Sequence, residues 1–171
     1  MEKFPTPEAA ARAVVSDPSP RHVGTVIRGD EAVVGHWVSA HGGDTETTTC
    51  YRDSDGRWEA GSTGNGNGTC IFTAADRVTA VCWGRAPAGA VGARFRAAGR
   101  EEVAPVEDGF VFLAFDDLPY REPVRTSSPA PAAGSGRGWT GYVGRPLSRE
   151  EETARAGFEF PELVEWISGE P

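Results

Sequence analysis

The chain has 171 residues, enough for one domain or one domain with an appendage, and a chain of that size buries roughly two-thirds of its extended surface on folding. Its 22 glycines and 13 prolines disfavour long helices and favour strands joined by tight turns. A net charge of −8 with no basic run repels phosphate backbones and anionic lipid, and no apolar stretch reaches the roughly 18 residues of a membrane span, so neither nucleic acid nor a membrane is expected as a partner.

The first residues, Met1-Glu2-Lys3-Phe4-Pro5, contain no apolar signal segment, which points to a cytoplasmic chain. They lead into a short helix: Thr6 can cap it, Pro7 suits its first turn, Glu8 complements its dipole, and Pro18 and Pro20 end it. From Arg21 to Asp116 the pattern turns to period two. His22 to Arg28 reads as a strand, Arg28-Gly29-Asp30-Glu31 as a turn, and Ala32 to Ser39 as the next strand. That strand puts Val33, Gly35 and Trp37 on one face and Val34, His36 and Val38 on the other. His41-Gly42-Gly43-Asp44 reads as a loop, and the β-branched Thr47 to Arg52 as a strand. Asp53-Ser54-Asp55-Gly56 is a hairpin turn, with Arg57 to Gly61 returning.

Gly64 to Gly68 reads as an open loop, and Val78 to Trp83 as a strand buried on both faces. Gly92 to Ala97 follows, then Glu102 to Val106, an expected edge strand because Pro105 has no proton to donate to a ladder. Phe110 to Phe115 closes the series. About eight short strands at regular spacing predict a mainly β (α+β) fold: an antiparallel sandwich-like or barrel-like core with a short N-terminal helix and a short helical C-terminal tail.

Residues 1–124 form the expected globular unit. Residues 125–138, rich in proline, serine and glycine, read as a linker or long loop. Residues 139–171 read as an acidic helical tail. Ser148 and Glu151 form a capping box, and the helix ends near Gly157. Pro161 is expected to start a second helix, because Phe160, Leu163, Val164 and Ile167 share one helical stripe at i, i+3, i+4 and i+7.

Thr6-Pro7-Glu8-Ala9-Ala10, Arg28-Gly29-Asp30-Glu31-Ala32-Val33-Val34, and Cys50-Tyr51-Arg52 with Gly56-Arg57-Trp58 resemble uncharacterised small proteins of actinobacteria. Trp83 to Ala90 and Val106-Glu107-Asp108-Gly109-Phe110 look like the same group. The resemblance spans residues 5 to 116 and implies a bacterial cytosolic origin and a β-rich fold. Its motifs are turn and strand chemistry, and it carries no activity with it.

The motifs that could carry chemistry each have a plainer reading. Asp53-Ser54-Asp55-Gly56 opens like a calcium loop, but Arg57 and Trp58 stand where ligands would follow, and a hairpin results. His36, His41 and Cys50 lack the spacing of a tetrahedral metal site. Gly64 to Gly68 lacks the lysine and following helix of a phosphate cradle. Arg28-Gly29-Asp30 is a turn despite matching the adhesion tripeptide, and Asp116-Asp117 is a solvated strand exit, since adjacent strand residues point apart. Cys50, Cys70 and Cys82 are expected as reduced thiols, with a Cys50–Cys70 bridge as the alternative for an exported chain. No catalytic residue, metal or cofactor is expected.

Composition and motifs thus favour a non-catalytic module that binds another protein through Phe160, Leu163, Val164, Trp166 and Ile167. The alternatives are a small α+β enzyme or ligand-binding protein with His36, Tyr51, Trp58 and Asp116 around a pocket between sheet and N-terminal helix, and an inhibitor or immunity-type protein suited to a basic toxin.

Overall fold

A computed structural model describes residues 2–39, 43–121 and 148–169. The linker expected at 125–138 and the histidine at 41 lie outside the described residues. Helix α1 spans Pro7–Arg12, with Thr6 Oγ1 accepting the Ala9 amide as the cap. Strands follow at β1 (Arg21–Arg28), β2 (Glu31–Val38), β3 (Asp44–Arg52), β4 (Trp58–Asn65) and β5 (Gly68–Ala74). Then come β6 (Arg77–Arg85), β7 (Ala90–Ala97), β8 (Arg100–Glu107), β9 (Phe110–Pro119), α2 (Arg149–Ala156) and β10 (Glu162–Ser168).

The strands form two packed antiparallel sheets, a sandwich-like core that does not close into a barrel. One sheet has the order β1-β2-β3-β4, the other β10-β7-β8-β9-β6-β5. Turn residues set the hairpins. Asp108-Gly109 joins β8 to β9 with both residues at positive φ, as a two-residue turn between right-twisted strands requires.

Three apolar clusters hold the layers. Val26, Val33, Phe72 and Val81, with Trp83 and Phe112 against them, lie between the two sheets. The Phe112 ring enters a notch left by Gly24 and Gly35, which are register partners on β1 and β2. The outer face of the first sheet carries Ala32, Val34, Cys50 and Trp58, covered by Ala10 and Ala11 of α1. The largest cluster joins Val78, Ala80 and Cys82 of β6 and Val111, Phe115 and Leu118 of β9 to Ala93, Phe95 and Ala97 of β7.

The last cluster requires the six-stranded sheet to bend back on itself. The β8–β9 ladder holds only Val106–Val111 and Glu107–Phe110, so the sheet folds at this hairpin and its two halves face each other. Strand β6 is therefore buried on both faces, as its unbroken apolar run predicts. Strand β8, expected at an edge, lies between β7 and β9 in the order. Pro105 nevertheless sits where the short ladder to β9 ends, so the missing amide proton leaves no gap in that ladder.

Two further sequence expectations are corrected. Gly64 to Gly68 is not an open loop: β4 runs to Asn65 and β5 starts at Gly68, and only Gly66-Asn67 separate them as the chain crosses from one sheet to the other. The segment after Pro161 is not a helix. It is β10, paired antiparallel with β7 from Glu162–Arg96 to Ser168–Ala90. Helix α2 itself has the predicted capping box and the predicted end at Gly157, which is left-handed. Phe158 then plunges into the main cluster, its ring tilted at 50° to that of Phe160 with a centroid separation of 4.4 Å, so this part of the tail belongs to the core.

Candidate functional site

The four residues expected around an enzyme pocket do not form one site. His36 and Trp58 share the outer face of the first sheet beneath the N-terminal segment. Trp58 is buried and forms a two-way backbone bridge with Phe4, and the Arg52 guanidinium lies 5.4 Å from its ring. That face is filled by α1 rather than hollow. Tyr51 is exposed to solvent. Asp116 is on the second sheet, where Arg28 grips it with bonds of 2.5 to 2.9 Å and Thr79 Oγ1 donates at 2.6 Å. Burial alone pushes the Asp116 carboxyl up, but the Arg28 and Thr79 bonds outweigh it and hold the group below its ordinary value. It is thus a clamp between β1, β6 and β9.

The thiols are set for packing. Cys50, Cys70 and Cys82 are all free. Burial pushes the Cys50 and Cys82 thiols up to about 11, which leaves almost no thiolate near neutrality. Among the described residues no group of three His, Cys, Asp or Glu side chains is arranged to hold a metal ion.

Among the described residues a cleft of about 1190 Å³ lies at one end of the sandwich, where both sheets contribute. Trp37 at the end of β2 and Gly43 before β3 come from the first sheet. Arg85 to Ala90 form the β6–β7 connection, Val106 to Phe110 the β8–β9 hairpin, and Leu163 and Trp166 face in from β10. Each wall is fixed locally. The Arg21 guanidinium lies 5.4 Å from the Trp37 ring and pairs with Asp108 at 3.0 Å, tying β1 to the hairpin across the cleft rim. Gly43 has φ +86, and a Cβ there would stand 2.9 Å from the Trp37 indole, so only glycine lets the chain pass. The Arg85 amide donates to Asn67 Oδ1 at 2.8 Å, and the Trp83 indole donates to the Gly66 carbonyl at 2.9 Å. These two bonds pin the β4–β5 crossing against β6.

Of the five residues expected as a partner-contact patch, Leu163 and Trp166 line this cleft. Val164 is exposed, while Phe160 and Ile167 are half-buried, with Phe160 packed on the main cluster. They are presented by a strand end and not by a helix stripe. Nothing in the residue pattern marked Trp37, Arg85, Asp108 and Phe110 to join them. They come from three separate segments, and only the sandwich brings them together.

Two large indoles, a buried phenyl ring, one guanidinium and one carboxylate around an open cleft suit the grip of an extended or irregular chain. Aromatic and arginine side chains dominate binding energy at protein surfaces: aromatic rings bury much area with few rotors, and the planar guanidinium stacks on rings and forks onto carboxylates. Strand β10 ends its sheet, so among the described residues one row of its backbone groups has no strand partner. No helix among the described residues is long and apolar enough to cross a membrane. Comparison with protein-family models, curated proteins and solved structures gives no match to this chain.

Proposed function

We propose that this protein is a non-catalytic binding module that holds a polypeptide segment of another protein in the cleft between Trp37 and Trp166. The observation that carries this reading is the cleft itself. At about 1190 Å³ it exceeds the roughly 300–1,000 Å³ of small-molecule pockets. Its aromatic walls supply anchors, and, among the described residues, the neighbouring outer edge of β10 offers backbone donors and acceptors for strand addition. The net charge of −8 favours a basic partner and speeds encounter with one. An inhibitor of a basic protein is the narrower form of the same reading.

The test is a random-peptide display selection against the full chain, followed by titration of recovered peptides against wild type, Trp37→Ala and Leu163→Asp. Truncating an anchor indole costs about 2 kcal/mol or more, roughly thirtyfold in Kd. Peptides that bind both variants as tightly as wild type refute the cleft as the binding surface.

A further inference from the structure

His36 is the one buried imidazole among the described residues and is only 3% exposed. Its Nδ1 is buried with no hydrogen-bond partner among the described residues. It stands in a cross-strand row on the outer face of the first sheet, with His22 of β1 on one side and Glu46 of β3 on the other; Asn65 of β4 pairs with Glu46. The His22 and His36 rings meet edge to face at 5.9 Å, and His22 Nε2 is bonded to Thr25 Oγ1 at 2.8 Å.

The segment following α1 is fastened over this row by polar contacts. The Glu46 carboxylate accepts the Ser16 amide at 3.0 Å and the Ser16 hydroxyl at 2.6 Å. The Asp17 carboxylate accepts the Ser39 amide and hydroxyl at 2.6 and 2.5 Å, and the Ser19 amide at 2.7 Å. Arg12 donates to the Asp17 and Pro18 carbonyls. The charged and titratable groups facing His36 are therefore Glu8 and Arg12 from α1, His22 from β1 and Glu46 from β3.

We infer that His36 is an acid-sensitive latch: neutral, it lets residues 7–20 lie closed on the first sheet, and its protonation releases them while the two-sheet core stays folded. A charged imidazolium at this place has lost its water and faces the Arg12 guanidinium and the His22 ring. Glu46, its register partner on β3, is the acid placed to balance it, but both Glu46 oxygens already hold Ser16. Turning them to His36 unfastens the segment, and leaving them in place strands a buried cation. Either outcome favours opening. Release uncovers Val34, Cys50 and Trp58, an apolar face now under Ala10 and Ala11.

The linkage has a definite sign. Burial first, then the His22 and Arg12 charges, hold the His36 value below its ordinary 6.5 in the closed state, against weaker opposing pulls from Glu46 and Glu8. The open state has a solvated imidazole near the ordinary value. Closure is therefore fully favoured above pH 6.5 and weakens as the pH falls through 6.5 towards the closed-state value, by up to tenfold per pH unit for one proton. Asp17, held below its ordinary 3.8 mainly by its Ser39 and Ser19 bonds, loses its contribution only at more acid pH.

The experiment is amide hydrogen exchange on the full chain from pH 7.5 downwards, corrected for intrinsic rates, with His36 ring resonances followed in the same samples. The expected result is that opening at the Ala10, Ala13 and Val15 amides rises up to tenfold per pH unit in the range where His36 titrates, while β6 amides do not change. His36→Gln should flatten that dependence. Because this variant can fail to fold, the wild-type comparison also decides: α1 opening outside the range of His36 titration overturns the latch. So does an unchanged pH profile in His36→Gln, or β6 opening together with α1.

Discussion

The contact between the two sheets can be tested at the glycine notch. A Cβ built at Gly35 stands 2.9 Å from Phe112 Cε2, and one at Gly24 stands 2.6 Å from Phe112 Cδ1. Neither glycine has a positive φ, so the penalty for alanine comes from the ring and not from a left-handed backbone. Overpacking of this kind costs about 1–3 kcal/mol, and removing a strand glycine returns about 0.5–1 kcal/mol. The net expectation for Gly35→Ala is a loss of about 1–2 kcal/mol, which for a chain of this size lowers Tm by roughly 2–8 °C. Gly24→Ala, with the closer approach, should cost more. Urea unfolding of Gly35→Ala, Phe112→Leu and the double variant measures the coupling. Because leucine vacates the far edge of the ring position, the glycine penalty should shrink by about 1 kcal/mol in the double variant. An equal penalty in both backgrounds, or a stabilising Gly35→Ala, would refute the seating of Phe112 between β1 and β2.

Two further outcomes follow from local geometry. Ala75, exposed in the β5–β6 turn at φ +52, pays the left-handed penalty of a Cβ residue; Ala75→Asn should stabilise by up to about 1 kcal/mol, seen as a Tm rise of a few degrees, and a fall in Tm would contradict the assigned turn. In native protein at pH 8, Cys70 should react first with a thiol reagent, with Cys50 and Cys82 held back by burial and by thiol values of about 11; equal reactivity of all three before unfolding would show that the two clusters around Cys50 and Cys82 are open.

Much of the fold was legible because its hairpins carry their own chemistry. Asp53 to Gly56 and Asp108-Gly109 mark turns by residues that tolerate left-handed backbone, and the period-two runs beside them become β3, β4, β8 and β9. Strand β5 escaped notice because its return turn, Ala75-Asp76, lacks glycine, and because the glycines before it looked like a loop. The run Leu163-Val164-Glu165-Trp166-Ile167 satisfies a helical stripe and a strand equally well over so short a span. Its pairing with β7, some seventy residues earlier in the chain, decided the matter.

The candidate site was less legible, for a different reason. A residue's type shows what it could bind, but the stacking of sheets decides what it faces. Asp116 looks like a solvated exit until Arg28 arrives from the other sheet, and Trp37 looks like core until the β8–β9 hairpin and β10 leave a gap beside it. Only Leu163 and Trp166 were flagged in advance, because apolar residues in an acidic tail stand out in any fold.

The most direct check on the cleft uses its own indoles. With a display-selected peptide added to isotope-labelled protein, the indole N–H resonances of Trp37 and Trp166, on the cleft wall, should shift or broaden. Those of Trp58, buried under Phe4, and Trp83, bonded to the Gly66 carbonyl, should stay in place. Binding that moves Trp58 and leaves Trp37 and Trp166 unchanged would contradict the cleft as the site and shift attention to the face beneath α1.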